Sequence, residues 1–106
     1  MQETYIDTRS CLDEDGLLHT FRYHLLTRQS PTGPFSLEEY GVMVEETGLT
    51  GTRIFPITHS FPKIQDLMTL LVHYAVTPTN LPEVVEDWAK KNHLPQLLPQ
   101  QVVNVG

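Results

Sequence analysis

Two different periods of apolar residues divide the chain. From Thr20 to Arg28 the alternation is that of a strand, with Phe21, Tyr23 and Leu25 on one face and Arg22, His24 and Arg28 on the other. Leu26 interrupts it, which implies that the second face is partly covered as well. A second alternating run sets Tyr40, Val42 and Val44 against Gly41, Met43 and Glu45. A third, Arg53 to Thr58, carries Ile54, Phe55 and Ile57, and its Pro56 places that part of the strand at a sheet edge or at its end. The first residues, Met1 to Cys11, alternate weakly and read as either a strand or a loose arm.

The breaks between these runs have turn chemistry. Asp13-Glu14-Asp15-Gly16 and Gly48-Leu49-Thr50-Gly51 are turns, and Ser30-Pro31-Thr32-Gly33-Pro34 is expected to be a loop because its two prolines remove backbone donors. Runs joined so closely predict an antiparallel meander.

After His59 the period changes to that of a helix. Ile64, Leu67, Met68 and Leu71 fall at i, i+3, i+4 and i+7, with Ser60 as N-cap and Pro62 in the first turn. This helix should stop near Ala75, ahead of Thr77-Pro78. A second helix is predicted from Asn80, with Glu83 three residues on as in a capping box, and a stripe of Leu81, Val84, Val85 and Trp88. Glu86–Lys90 and Asp87–Lys91 are i, i+4 pairs, and Asn92 is a suitable stop. The reading is therefore an α+β domain over residues 1–93: a three- to four-stranded antiparallel meander followed by two C-terminal helices packed on one face. Residues 94–106, with Pro95 and Pro99 and then Val102, Val103 and Val105, are expected to form an extended flexible tail unless the valines dock on a partner or a sheet edge.

The run Tyr40-Gly41-Val42-Met43-Val44-Glu45, then Ile57-Thr58, then Thr77-Pro78-Thr79-Asn80-Leu81-Pro82-Glu83-Val84-Val85-Glu86-Asp87-Trp88, resembles a domain-of-unknown-function family of small uncharacterised bacterial proteins from Gram-positive anaerobes. The resemblance spans Phe21 to Lys91. It implies a Tyr-Gly-hydrophobic strand, a helix and a second helix ending in Val-Val-Glu-Asp-aromatic. It carries no activity, cofactor or site residue to transfer.

Composition narrows the function classes. Seven basic against thirteen acidic residues give a net charge of −6, and only Lys90 and Lys91 are adjacent, so neither nucleic acid nor an anionic membrane surface is expected as a partner. Cys11 is the sole cysteine, so no intrachain disulfide forms. No secretory pattern and no long apolar run is present, which makes the cytoplasm the expected location.

Candidate chemistry is sparse. Of the five histidines, His19 and His24 are five apart and point to opposite faces of a strand, while His59, His73 and His93 are isolated, so no metal set is expected. Acidic neighbours Asp13, Glu14 and Asp15 work against a Cys11 thiolate. A calcium loop opened by Asp13 would close at His24 rather than a glutamate, and Gly48 and Gly51 lack the lysine of a phosphate loop. Glu83, Glu86 and Asp87 read as the wet side of a helix, and Trp88 as core rather than a binding aromatic. No catalytic, metal or cofactor residue is assigned, and a non-enzymatic role is expected. The leading expectation is a protein-interaction module, working through an unprotected sheet edge with itself or another protein. The alternative is a small-ligand pocket between sheet and helices, lined by strand aromatics and Met68.

Overall fold

The structure is a computed structural model and describes residues 1–32, 35–49, 51–92 and 102–105. Strands β1 (Gln2–Leu12), β2 (Leu18–Thr32), β3 (Phe35–Glu46) and β4 (Gly51–Thr58) form an antiparallel meander. Helices α1 (Phe61–His73) and α2 (Leu81–Lys91) follow, and β5 (Val102–Val105) adds to the outer side of β4. The N-terminal residues are thus a strand, paired with β2 from Gln2↔Thr27 to Leu12↔Leu18. The α+β expectation holds, with a fifth strand supplied by the tail.

One boundary differs from the sequence reading. Ser30, Pro31 and Thr32 continue β2 and pair with Leu37, Ser36 and Phe35, instead of forming a loop; Gly33 and Pro34 lie outside the described residues. The first pair between β1 and β2 is Gln2↔Thr27, so β2 has an open flank beyond that point. A proline lacking its N–H is accommodated there as on an edge strand. Pro56 follows the same rule, because β5 pairs only with Gly51 to Ile54.

Helices cover one sheet face. Phe21, Tyr23, Tyr40, Val42, Val44 and Ile54 are buried against Ile64, Leu67, Met68 and Leu71 of α1 and Leu81, Val85, Trp88 and Ala89 of α2. Leu25 and Val84, expected in the core, are partly buried at its margin. The Tyr23 hydroxyl donates to the Val76 carbonyl at 3.0 Å and so ties the connection between helices to the sheet. Desolvation by burial pushes this phenol up to about 12.

The opposite face also carries buried side chains, as the interruption at Leu26 implied. Leu26 is fully buried, and His24 and Met43 nearly so. Tyr5 stands edge-on to His24, Arg22 lies over Tyr5, and Arg28 lies over Phe55. Arg22–Glu45, Arg28–Glu39 and Arg53–Glu3 ion pairs complete this small second layer. Gly41, in β3 opposite Leu26, sits against the Ile54 carbonyl and the Phe55 ring.

The helix ends form as follows. Ser60 caps α1, its hydroxyl accepting from the Lys63 N–H. At the other end Ala75 is left-handed (φ 48°), with the Ala75 N–H donating to Val72 O and the Val76 N–H to Leu71 O. This is a Schellman stop that buries Val76 and Leu71. It terminates α1 before Thr77-Pro78 is reached. The capping box expected at α2 is not made: Asn80 has helical backbone and no side-chain cap bond. Thr77 takes that role, its hydroxyl accepting from the Asn80 N–H at 3.1 Å and its carbonyl from the Leu81 N–H. The ion pairs Glu86–Lys90 and Asp87–Lys91 are present.

Candidate functional site

Among the described residues, the outer side of β4, the β1 edge, a groove beside β1 and the turn before β2 are the candidate places.

At the β4 edge, Gly51, Thr52, Arg53 and Ile54 pair antiparallel with Val105, Asn104, Val103 and Val102. Four residues of β4 thereby have strand neighbours on both sides, since β3 already pairs with Gly51 to Ile54 through Glu45, Val44, Met43 and Val42. The β1 edge is different. Its register shifts between Tyr5 and Asp7, which places a bulge at Ile6. The Thr8 N–H donates to the Asp7 carboxylate at 2.8 Å, and the Tyr5 hydroxyl bonds the Thr8 hydroxyl. A bulge and a donor already satisfied by a side chain blunt an edge against further pairing. The β1 edge is thus interrupted near Ile6, and the outer side of β4 is covered by β5 along Gly51 to Ile54.

The groove runs between β1 and α1 as two adjoining hollows of about 370 Å³ and 220 Å³ that share Ile6, Met68 and Thr69. Leu25, Phe61 and Ile64 make one end apolar, while Asp7, Arg9 and His73 make the other polar. Met68 lines it as expected; the strand aromatics Phe21 and Tyr23 do not.

Among the described residues His19, at the start of β2, is the histidine with a carboxylate on each ring nitrogen. His19 bonds Asp13 at 2.7 Å and Glu46 at 2.8 Å, joining the Asp13 turn to the end of β3. Asp13 also accepts from the Asp15 and Leu17 N–H groups, so the acidic cluster is an organised turn. The Asp13 bond, then Glu46, hold His19 above its usual 6.5, and the His19 bond, then the Leu17 N–H, hold Asp13 below its usual 3.8. The His19 contribution to stability is thus complete below pH 6.5 and is lost as pH rises through the elevated value. The Asp13 contribution is present above pH 3.8 and is lost as pH falls through the depressed one. In urea unfolding, His19→Gln should lower the midpoint most near about pH 5.5 and least near about pH 9. A deficit that does not vary with pH would show that the pairing does not depend on the imidazolium.

The remaining candidates stay apart. Among the described residues no group of three His, Cys, Asp or Glu could hold a metal ion. His24 pairs with Glu45 on the second face, and His59 bonds the Glu38 carbonyl. His73 stands edge-on to the exposed Tyr74, and His93 lies outside the described residues. Cys11 is exposed on β1. Trp88 is in the core. The Tyr40 hydroxyl donates to the Glu38 carboxylate, and this bond, then desolvation by burial, raises it above its usual 10.0. Sequence reasoning missed the double pairing of His19; the signal was the turn spacing from Asp13 to His19, which folds the hairpin back on itself.

Among the described residues no helix is long and apolar enough to cross a membrane. No curated protein and no solved structure matches the chain. A family of unknown function, DUF6514, matches residues 2–91, which takes in β1 to α2 and leaves β5 outside. With nearly all of its folded core inside that match, the chain belongs to this family of unknown function, DUF6514.

Proposed function

We propose that the domain is a non-enzymatic protein-interaction module of the cytoplasm that takes up an extended segment on the outer side of β4. The observation that carries this reading is the register of β5: a valine-rich segment outside the family-matched region completes the sheet along Gly51 to Ile54. Strand addition of this kind draws its affinity from main-chain hydrogen bonds, so a partner needs only an extended stretch rich in β-branched residues. The short span limits the affinity of any single strand, and linkage within one assembly supplies the rest.

A small ligand in the groove beside β1 is the second reading. It is favoured by hollows of a size found in ligand sites and by the polar end at Asp7, Arg9 and His73.

One titration separates them. A labelled peptide of sequence Gln-Gln-Val-Val-Asn-Val-Gly, residues 100–106, is added to the full chain carrying Val103→Pro, which removes a donor from the resident strand. Saturable binding is expected, at least tenfold weaker to the unsubstituted chain because its own strand competes. A peptide with proline at the same position should not bind. Absence of binding to Val103→Pro would overturn the reading. Loss of binding on adding Ile6→Glu, which lies in the groove and away from β4, would move the docking place to the groove.

A further inference from the structure

We infer that the groove beside β1 takes a small amphipathic monocarboxylate, with its head at Arg9 and its apolar chain laid along α1 toward Phe61. This rests on the ligand reading of that groove and names the ligand class. β2 and β3 separate β1 from β4, so strand uptake at β4 is a separate matter.

The two walls follow from the register and from one helix stripe. Asp7 pairs with Tyr23 and Arg9 with Phe21, so both charged side chains stand on the helix-covered face of the sheet. α1 supplies the facing wall through Phe61 and Ile64, then Met68 and Thr69, then Val72 and His73. That stripe runs from the first residue of the helix to its last. The twelve steps from Phe61 to His73, at about 1.5 Å each, give a wall of roughly 18 Å. Such a shape suits an extended chain better than a compact ring. Ile6 and Phe61, on the two walls, are 41% and 45% exposed, and an apolar chain between them would remove both from water.

Charge selects the head group. Arg22, Arg28 and Arg53 each hold a glutamate. Arg9, among the described residues, has no carboxylate within 4.0 Å. In a chain with thirteen acidic and seven basic residues, an arginine left so while lining a groove is the complement of an anion from outside. His73 brings a ring nitrogen to the same end. The helix terminus there does not oppose an anion strongly, because the Leu70, Leu71 and Val72 carbonyls accept from the Tyr74, Val76 and Ala75 N–H groups. Asp7 sets the limit on charge. Its carboxylate shares this end of the groove and repels a second negative charge, so a monocarboxylate fits where a phosphate does not.

Octanoate, octylammonium and 1-octanol, each kept below the concentration at which it aggregates, are titrated into the full chain with labelled methyl groups. Octanoate should give saturable shifts of the Ile6, Ile64 and Met68 methyls, with affinity at least about tenfold above octylammonium. Arg9→Gln should weaken octanoate by about tenfold, the loss of one charge-assisted pair, and leave 1-octanol unchanged. Thr69 is exposed and borders both hollows, so Thr69→Phe blocks the groove without entering the core and should abolish the shifts. If either other probe binds as well as octanoate, or Arg9→Gln binds octanoate as the parent does, the carboxylate class is overturned while the groove stays a ligand site. If Thr69→Phe binds like the parent, or no probe moves these methyls, the groove reading falls too. Arg9 is then an inward charge guarding an edge strand.

Discussion

Gly41→Ala should destabilise the domain by about 3 kcal/mol or more, at or beyond the upper end for overfilling a packed site. A methyl group there would lie 2.4 Å from the Ile54 carbonyl oxygen and 2.6 Å from the Phe55 ring. The first obstacle is backbone, and it belongs to the β4 segment where the register with β3 shifts. Relief requires β4 to move away from β3, which also disturbs the Arg28–Phe55 stack on the outer face. Urea unfolding followed by Trp88 fluorescence gives the measurement, and a midpoint equal to that of the unsubstituted chain would refute the close approach. Gly16→Ala is the contrasting control: nothing lies within 4 Å of the added carbon, so its cost comes from a φ of +80° alone and should be about 1 kcal/mol.

Trp88→Ala should cost about 3–5 kcal/mol, the range for removing a buried aromatic side chain. The indole closes the α2 stripe with Leu81, Val85 and Ala89, all buried, and α2 has little else to hold it. Its N-terminus lacks a side-chain cap from Asn80, and its surface ion pairs contribute only about 0.3–0.5 kcal/mol each. In a domain whose total stability is of order 5–15 kcal/mol, that loss removes much of the folded population at elevated temperature. Circular dichroism during thermal unfolding measures it, since the fluorophore is gone. A melting temperature within a degree or two of the parent, against a shift of about 4–8 °C per kcal/mol for a domain near this size, would place Trp88 outside the core.

The two variants mark the limits of what the sequence discloses. The Trp88 stripe and the Ile64–Leu71 stripe were legible because helical spacing has little ambiguity once apolar residues recur on it. The alternation around Phe21 and Tyr40 was equally clear. Alternation places Gly41 on the outward face and says nothing of its contacts, although a glycine inside a strand is itself a sign of a bulge or close approach. Pro31 misled for the opposite reason: it forbids a ladder bond only where a neighbour strand would receive one, and β2 has outrun β1 at that point. At α2 the Asn80–Glu83 spacing suited a capping box, but Thr77 reached the first free N–H ahead of it. In sequence a sheet edge is only one of the places open to Val102, Val103 and Val105, because four residues of strand leave almost no pattern and what they pair with is fixed at long range. The His19 link had the same origin, joining residues 27 apart in sequence.

The blunted first strand has a bearing on how assembly ends. If copies could add at β4 and also at β1, each new arrival would present a fresh template and growth would run on into fibres. The Ile6 bulge and the Asp7 carboxylate seated on the Thr8 amide interrupt that second template near its middle. On the strand-uptake proposal, addition is then confined to the β4 side of the sheet, where β5 is short and covers only Gly51 to Ile54.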